Sequence, residues 1–382
     1  MSKILIISNS YPNYGGQSTT AYNLLKLLKQ HGFNAKALYI NDAKHAEIDP
    51  EKTGASHKIV LKKSLVQRLY QWLRRNRGIS LNKQVSAARN YYFLMRLFPR
   101  LLYFQFSKKF SPELIITNIP SYYWLIRNIF RNRKVMLIIG SSPEMNKLCK
   151  QKIDAVSIIG NPEIGLNALK NIYKPNYHNA FILFNSGITK TIYSKLQIKT
   201  GDAYVQYFNF APYKPSHYKP FDERSNDIAF IASLYSRTIK NAPLAFDIFS
   251  AFPDARKLAV GNESENFGTI PHTTISSLTT QAAIMQHLAD TKVLLITSYF
   301  DSSPSVLSEA ILSGCNVLVS KNVGWHDMLD ERCVVQHYDD VNEWKEKAAY
   351  LMQHKIDYSR FEEVIASSTA SIIANIQSVL DK

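Results

Sequence analysis

Two carboxylates eight positions apart, Asp301 and Glu309, flank the predicted start of a helix. The apolar run 293–296 ends in a polar loop that carries Asp301, and Pro304 with a serine before it is typical of a helix start. Free backbone amides at such a helix start favour an anion such as a diphosphate. A carboxylate within the helix, here Glu309, can accept hydrogen bonds from a ribose diol. The arrangement predicts a nucleotide site.

A second loop in the same half of the chain carries basic side chains. The apolar run 227–232 predicts a strand, and the loop after it contains Arg237 and Lys240. Two cations matched to a departing diphosphate would lower the barrier for its departure. Without the two acids, ordinary solvent-exposed loop residues would be the preferred interpretation. With them, we expect Arg237 and Lys240 to be directed into the same site.

Glycine follows two other predicted strands. Gly15-Gly16 comes after strand 3–8, and Gly261 ends strand 256–260. Glycine lets backbone amides approach a ligand closely, but a tight turn also needs it for its geometry alone. The glycines in these turns therefore either contact a ligand or serve only the geometry of the turn.

Alternating strand and helix patterns position these loops. The first half predicts a helix at 18–31 and strands at 3–8, 35–40, 114–117, 134–139, 154–159 and 180–184. After a connection rich in Pro, Tyr and Lys, the second half predicts strands at 227–232, 256–260, 292–297 and 315–319, and helices at 242–252, 280–289, 304–313, 341–353 and 361–380. Such alternation indicates α/β architecture with doubly wound parallel sheets.

Length and composition are consistent with two such domains. The chain has 382 residues, of which 46% are apolar and 20% charged, which indicates a globular protein. We predict Rossmann-like domains at 1–215 and 216–365, with a C-terminal helix at 366–382 for which packing against the first domain is one option. Ligands in this architecture bind in the cleft at the carboxyl ends of the strands.

Several classes of protein are not expected. No apolar stretch approaches the ~20 residues of a membrane span, and the first residues resemble a buried strand rather than a signal peptide. Cys149, Cys315 and Cys333 are far apart and lack metal-ligand spacing. Reduced thiols in a cytoplasmic protein are the simplest interpretation, and no metal cluster is expected.

The net charge of +16 is unevenly distributed. Residues 1–174 contain 28 Lys and Arg against 8 Asp and Glu, whereas the remainder contains 18 against 22. Residues 52–112 contain 14 Lys or Arg and no acid, and the pattern over about 56–110 predicts a basic helical segment with aromatic residues. The first half is therefore expected to face an anionic partner.

Three interpretations of this basic segment remain open. An amphipathic basic helix with aromatic residues can lie on an anionic membrane leaflet and reach a lipid-linked acceptor. The same composition suits nucleic acid, but a nucleic-acid protein would leave the second domain unexplained, so no nucleic-acid partner is expected. The third interpretation is a helical insert with buried aromatics and solvated charges.

The order of these motifs resembles that of the retaining glycosyltransferases of the GT-B fold, especially the large family-four group. That pattern has a glycine loop after the first strand, a basic loop, a glycine-terminated strand and two acids separated by seven residues. In this chain the matching residues are Gly15-Gly16, Arg237 with Lys240, Gly261, Asp301 with Glu309, and the later Gly314 and Gly324.

The resemblance implies a role for each matching residue. Catalytic positions would be Arg237 and Lys240, which would hold the diphosphate, and Asp301, which would lie beside the hydroxyls of the donor sugar. Glu309 would accept the ribose hydroxyls. The remaining residues implied to bind the nucleotide sugar are Gly15, Gly16, Ser233, Gly261, Ser305 and Val306.

The resemblance also implies two domains that face each other across a cleft and a metal-independent transferase without a cofactor. Its partners would be a nucleotide-sugar donor and a glycan or lipid-linked acceptor, as in cell-surface polysaccharide or lipopolysaccharide synthesis. A location on the inner face of the cytoplasmic membrane would follow.

Three departures from the family pattern keep an alternative open. Asp301 is shorter than the usual Glu, and Ser233 stands where Arg is frequent. A His often present after a strand in the middle of the first domain has no counterpart in the segment Ile139-Gly140-Ser141-Ser142, where it would be sought. A catalytically weak or inactive GT-B scaffold, or an epimerase on the same fold, is the alternative.

Overall fold

A computed structural model describes residues 2–8, 16–42, 57–61, 110–120, 123, 126–127, 130–140, 148–169, 176–208, 218–277 and 280–382. Within these residues the chain forms two α/β units, each built on a parallel sheet. The predicted fold class, with two doubly wound domains, is confirmed.

The first sheet is formed by strands of the N-terminal half. Their bounds are β1 (Lys3–Ser8), β2 (Asn34–Asp42), β3 (His57–Leu61), β4 (Leu114–Thr117), β5 (Lys134–Ile139), β7 (Phe181–Phe184) and β9 (Ala203–Val205). They lie in the order β3-β2-β1-β4-β5-β7-β9. A separate pair is formed by β6 (Asn176–Tyr177) and β8 (Lys199–Thr200). The strand order reverses between β1 and β4, which creates a crevice at their carboxyl ends.

The second sheet repeats this arrangement. Its strands are β10 (Asn226–Leu234), β11 (Lys257–Asn262), β12 (Thr273–Ser276), β13 (Thr291–Ile296), β14 (Asn316–Ser320) and β15 (Val334–Val335). They lie in the order β12-β11-β10-β13-β14-β15, so the reversal falls between β10 and β13. Nearly every residue of β13 and β14 is buried, as expected for strands covered by helices on both faces.

Helices connect the strands and close the chain. Their bounds are α1 (Gly16–Gln30), α2 (Ala155–Gly160), α3 (Pro162–Ala168), α4 (Gly187–Lys195), α5 (Ala242–Ser250), α6 (Gln281–Ala289), α7 (Ser305–Leu312), α8 (Val341–Gln353) and α9 (Ser359–Asp381). No helix in the described part of the chain is long and apolar enough to cross a membrane.

The strand predicted at 154–159 is wrong, because this segment is helix α2. Asp154 caps the helix: its Oδ1 accepts a hydrogen bond from the backbone amide of Ser157 at 2.8 Å. Ala155 and Ile158 are buried, which is the spacing of one helical turn. A short apolar run fits either element, and here the cap decides between them.

The predicted basic helical segment at about 56–110 begins differently in the structure. His57–Leu61 is strand β3, which pairs in parallel with β2. The rest of the segment, up to Lys109, lies outside the described residues. The prediction of a helical segment from about residue 56 is therefore wrong at its start, where the chain forms a strand.

The start of α7 differs by one residue from the prediction. Pro304 is the N-cap rather than the first helical residue, and no side chain caps the helix. The serine before Pro304 therefore does not act as the cap, and the first turn begins at Ser305.

Helix α9 contacts both halves of the molecule. Phe361 and Ile365 belong to the hydrophobic core of the second sheet. Ile372 and Ile376 belong to the core between the first sheet and α1. Lys134 Nζ also donates to the carbonyl of Leu380 at 2.7 Å. The helix begins at Ser359, so the predicted boundary at 365/366 falls inside it.

Candidate functional site

An ion pair lies where the strand order of the second sheet reverses. Lys240, in the loop after β10, places its Nζ 2.5 Å from Oδ2 of Asp301, in the loop after β13. Both side chains are only 19% exposed. Because β10 and β13 are neighbours, their following loops meet at one edge of the sheet. The structure thus brings together two of the three predicted catalytic residues.

Hydrogen bonds to backbone carbonyls hold the two loops against each other. Thr297 Oγ1 donates to the carbonyls of Lys240 at 3.0 Å and Asn241 at 3.1 Å. The amide of Tyr299 donates to the carbonyl of Ile239 at 3.0 Å. Asn241 adopts a left-handed conformation with φ of 48°, which ends the turn that carries Lys240 and starts α5. The position of Lys240 relative to Asp301 is therefore fixed by the backbone and by the ion pair together.

Glu309 lies within α7 and is half-buried. Its Oε1 accepts a hydrogen bond from Nε2 of Gln281, the first residue of α6, at 2.9 Å. Burial raises the pKa of the Glu309 carboxyl above its usual value, and the Gln281 amide lowers it in part. Within the described part of the chain, no ion pair neutralises Glu309. A half-buried carboxylate with only a neutral partner is suited to accept hydrogen bonds from ligand hydroxyls.

The first turn of α7 lies between these two acids. Ser305 is exposed and Val306 is half-buried. Amides at such positions have no partner within the helix, and no side chain caps this one. The start of α7 can therefore offer backbone donors and the positive end of the helix dipole to an anion.

Two predicted site residues near the end of β10 are more exposed than Lys240. Ser233, near the end of β10, and Arg237, at the start of the turn, are both exposed. Among the described residues no ion pair engages the Arg237 guanidinium. Its length and freedom permit it to reach an anion in the cleft, whereas Lys240 is already held in place.

The backbone geometry at position 261 requires glycine, whether or not a ligand binds there. Its φ is +146°, and a Cβ at this position would lie 1.8 Å from the carbonyl oxygen of Ala232. The pairing of β10 with β11 is irregular between Ile231 and Leu234, so the two backbones approach each other unusually closely. Only glycine fits this irregularity next to the loop that carries Lys240.

The predicted glycine loop of the first domain lies only partly within the described residues. Gly16 is the first residue of α1, directly after the β1–α1 connection. Gly15 lies outside the described residues. Contact of these two glycines with a ligand stays a prediction.

The structure adds Asn185 of the first domain, which the sequence did not single out, next to Gly140. A Cβ on Gly140, directly after β5, would lie 2.6 Å from Nδ2 of Asn185 and 3.0 Å from Oγ of Ser302. Gly140 is thus packed between a first-domain amide and the loop that carries Asp301. Gly140 thus has no side chain to direct into the cleft, and the Asn185 amide takes the adjoining space.

Unsatisfied polar atoms collect at the carboxyl edges of both sheets. Among the described residues, the buried side-chain atoms without a hydrogen-bond partner include Ser8 Oγ and Asn185 Oδ1 in the first domain. Ser298 Oγ and Asn322 Nδ2, which follow β13 and β14, are further examples in the second domain. Since buried polar groups are normally paired, this concentration at the strand ends is typical of a binding site. No single motif marks these residues in the sequence.

The His326 ring is held by a contact within its own loop. The Nδ1 of His326 lies 2.7 Å from the carbonyl of Val323, so Nδ1 carries the proton and donates when the ring is neutral. No group of three His, Cys, Asp or Glu side chains in the described part of the chain is arranged to hold a metal ion. The site therefore consists of cationic and carboxylate side chains at the cleft between the two domains.

Comparison with known proteins identifies the architecture. No family model and no curated protein sequence matches the chain. Among solved structures, sucrose-phosphate synthase from Thermosynechococcus elongatus superposes with a TM-score of 0.64 at 14% identity, covering 100% of this chain and 96% of that one.

Two further structures also match over nearly the whole chain. A point mutant of S. aureus TarM, solved in complex with Fondaparinux, alpha-GlcNAc-glycerol and UDP, has a TM-score of 0.66 at 11% identity, with 100% of both chains covered. The lipopolysaccharide outer core galactosyltransferase WaaB in its apo form has a TM-score of 0.60 at 13% identity, with 98% of this chain and 99% of that one covered. With two parallel-sheet α/β domains that contact each other at the carboxyl ends of their strands, the chain has the GT-B fold of these glycosyltransferases.

Proposed function

We propose that the protein transfers a sugar from a nucleoside-diphosphate sugar to a hydroxyl of a glycan or lipid-linked acceptor, with retention of the anomeric configuration. The observation that carries the proposal is the placement of Lys240 and Asp301 on two neighbouring loops at the strand-order reversal of the second sheet, with Glu309 in helix α7, which follows the Asp301 loop. Each of the three offers the chemistry that one part of such a donor requires.

The diphosphate would be held by the cationic side of the site. Lys240 is fixed beside Asp301, Arg237 is free to move towards an anion, and the uncapped start of α7 supplies amides. Negative charge grows on the diphosphate as the glycosidic bond breaks, and preorganised donors stabilise that charge. These groups would perform the role that a divalent cation has in other enzymes, so we expect no metal requirement.

The two carboxylates would bind hydroxyls rather than act as a nucleophile and acid pair. Glu309 has one oxygen on the neutral Gln281 amide and is suited to a ribose diol. Asp301 already neutralises Lys240 and would exchange part of that contact for hydroxyls of the donor sugar. Catalysis would then depend on positioning and on stabilisation of the departing diphosphate.

The acceptor would enter from the first domain. WaaB is named for lipopolysaccharide synthesis, and the 14 basic residues of 52–112 suit an anionic acceptor or membrane leaflet. We therefore propose a cytoplasmic enzyme that associates with the inner face of the membrane and serves cell-surface polysaccharide or lipopolysaccharide synthesis. Sedimentation with liposomes that contain anionic lipid, and not with neutral liposomes, would support this placement; equal pelleting with both would contradict it.

A non-transferring GT-B scaffold or an epimerase is the second candidate, and Gly140 favours it. With no side chain at this position and Asn185 packed over it, the first domain offers fewer groups to the reacting centre. A protein that only binds a nucleotide sugar would keep Glu309 and dispense with acceptor chemistry.

A panel of UDP- and GDP-sugars separates these candidates. Binding of a donor should raise the melting temperature of the protein. A transferase should also release the nucleoside diphosphate slowly without acceptor and faster with one, and NMR of the product should show a retained anomeric configuration. A thermal shift without diphosphate release indicates the scaffold, interconverted sugars indicate the epimerase, and no shift with any donor contradicts nucleotide-sugar binding.

A further inference from the structure

We propose that Phe300 is a positioning residue that anchors the Asp301 loop in the core of the first domain and so holds the two domains closed on each other. The structural part of this inference is independent of the proposed function. Only its kinetic consequence rests on the proposed transfer reaction.

The burial of Phe300 is the first observation. Its side chain is 0% exposed, although it belongs to the loop after β13 of the second domain. It is part of the hydrophobic cluster of the first domain, together with Leu148, Cys149 and Ala155. Ile239 and Tyr299 pack against the same cluster. The residue directly before Asp301 therefore crosses the cleft and is buried in the opposite domain.

Polar contacts surround this anchor. The amide of Ala155 donates to the carbonyl of Tyr299 at 3.3 Å, and the amide of Val156 donates to Oδ1 of Asn322 at 2.9 Å. Ala155 and Val156 are the first two residues of α2, so their amides have no partner within the helix. Their acceptors come from the second domain, and these two hydrogen bonds exist only while the domains are closed.

The anchor is linked rigidly to Asp301. The amide of Asp301 donates to the carbonyl of Asn322 at 3.2 Å, and the amide of Gly324 donates to the carbonyl of Asp301 at 2.7 Å. Trp325, in the same loop, donates its Nε1 to the carbonyl of Asn185 across the cleft at 2.7 Å. The two loops after β13 and β14 therefore move as one unit, and the burial of Phe300 sets where that unit lies on the first domain.

Phe300 should contribute more to closure than the polar contacts do. On opening, the interdomain hydrogen bonds are exchanged for hydrogen bonds to water with a small net change in free energy. The phenyl ring, in contrast, would lose its apolar surroundings and be exposed to water. The equilibrium between closed and open domains should therefore depend most on this ring.

Amide hydrogen exchange of the full-length chain tests the proposal without any assay of activity. The amides of Ala155 and Val156 should exchange roughly 10- to 100-fold faster in Phe300→Ala than in the wild type, the loss expected for one buried aromatic side chain. The amide of Ser157 is an internal control, because it donates to Asp154 of its own domain. Its exchange should not change, nor should that of β5 and β11.

Two further variants separate anchoring from a general loss of stability. Phe300→Leu keeps an apolar side chain and should restore most of the protection at Ala155 and Val156. Phe249→Leu removes the same ring from the interior of the second domain, where Phe249 is 0% exposed. It should affect β11 without a selective change at Ala155 and Val156. Wild-type protection of these two amides in Phe300→Ala, or an even increase over the whole chain, would overturn the proposal.

The kinetic consequence is tested separately with a donor that the wild type uses. Phe300→Ala should lower kcat by about 10-fold or more with little change in the donor KM, because donor groups stay on the second domain while their position relative to the first is lost. An unchanged kcat together with faster exchange would remove the positioning role. If the wild type uses no donor, the proposed function fails, and the exchange result still decides the closure of the domains.

Discussion

Lys240 and Asp301 form an ion pair whose Nζ and Oδ2 atoms are 2.5 Å apart, at the edge of the second sheet that faces the first domain. Each neutralises the other before any ligand arrives. Removal of one partner of a largely enclosed pair leaves the other charge uncompensated. The two residues are therefore expected to act as a unit, with Lys240 free for an anion only as Asp301 gains other hydrogen-bond donors.

Replacement of Lys240 should reduce turnover more than donor binding. We expect Lys240→Met to lower kcat by about 100- to 1,000-fold, since it removes a charge that matters most when the diphosphate departs. Steady-state kinetics with the donor identified by thermal shift would measure this. The control is Lys219→Met, because Lys219 pairs with Asp290 at the opposite end of β13, with a distance of 2.6 Å. Equal kcat values for the two variants would contradict the role of Lys240.

The affinity for the donor should depend on pH through Glu309. Burial raises the pKa of this carboxyl, and ribose hydroxyls donate best to its ionised form. Affinity should therefore increase as the pH rises through the raised pKa and be constant above it. In Glu309→Gln the affinity should be about 10- to 100-fold lower and independent of this ionisation. Calorimetric titration with the nucleoside diphosphate across this pH range would show both effects.

Glu331→Gln is the matched control for the Glu309 experiment. Glu331 is exposed and lies just before the start of β15, at the sheet edge opposite the Lys240–Asp301 pair. Its replacement should therefore leave both the affinity and its pH dependence unchanged. If Glu309→Gln also kept the pH dependence of the wild type, another group would have to account for it.

Replacement of Gly261 should destabilise the second domain. A Cβ would lie 1.8 Å from the Ala232 carbonyl, and φ of +146° is unfavourable for any other residue. We expect Gly261→Ala to cost about 3 kcal/mol and to lower the melting temperature on the order of 6–12 °C. Gly268→Ala is the control, because its Cβ would meet only Ile275 at an ordinary 3.6 Å. Calorimetric scans in which both variants melt like the wild type would show that the irregularity between β10 and β11 can relax.

All three cysteines should be unreactive in the folded protein. Burial raises the pKa of the Cys149 and Cys315 thiols to about 12 and that of Cys333 to about 11. The nucleophilic thiolate is therefore scarce at pH 8, and the sulfur atoms are also inaccessible. A colorimetric thiol reagent should detect no thiol in the native chain and three after denaturation. Rapid reaction of one native thiol would show that its part of the core opens readily.

The sequence predicted the regular elements well where burial and capping agree. Strands 114–117 and 134–139 and helix 341–353 have the bounds that were expected. Each of the two strands is a short apolar run buried on both faces, and Asp340 caps the helix by accepting hydrogen bonds from the amides of Asn342 and Glu343. Local physics determines these elements, and no long-range information is needed.

The error at 154–159 shows where that approach fails. Five of the six residues are small or apolar, so a buried strand and a short buried helix give the same pattern. The cap was nevertheless visible, because Asp154 stands three positions before Ser157. A capping residue at this spacing distinguishes a short helix from a strand where hydrophobicity does not.

The pairing of Lys240 with Asp301 could not be predicted as a contact, although both residues were singled out. The two residues are 61 positions apart in the sequence, and they come into contact only because β10 and β13 are neighbours at the reversal of strand order. Asn185 and Phe300 carry no local signal at all, since an Asn after a strand and a Phe in a loop are common. Their importance depends on the way the two domains meet.

Because helix α9 packs into the cores of both domains, the two domains are not expected to fold independently. Its later turns, with Ile372, Ile376 and Val379, form one flank of the core that also contains Leu24 and Leu28 of α1. A fragment that ends at residue 215 would keep the strands of the first sheet, but the apolar side chains that pack against α9 would be exposed to water. Such a fragment should aggregate unless a peptide with the α9 sequence is supplied in trans.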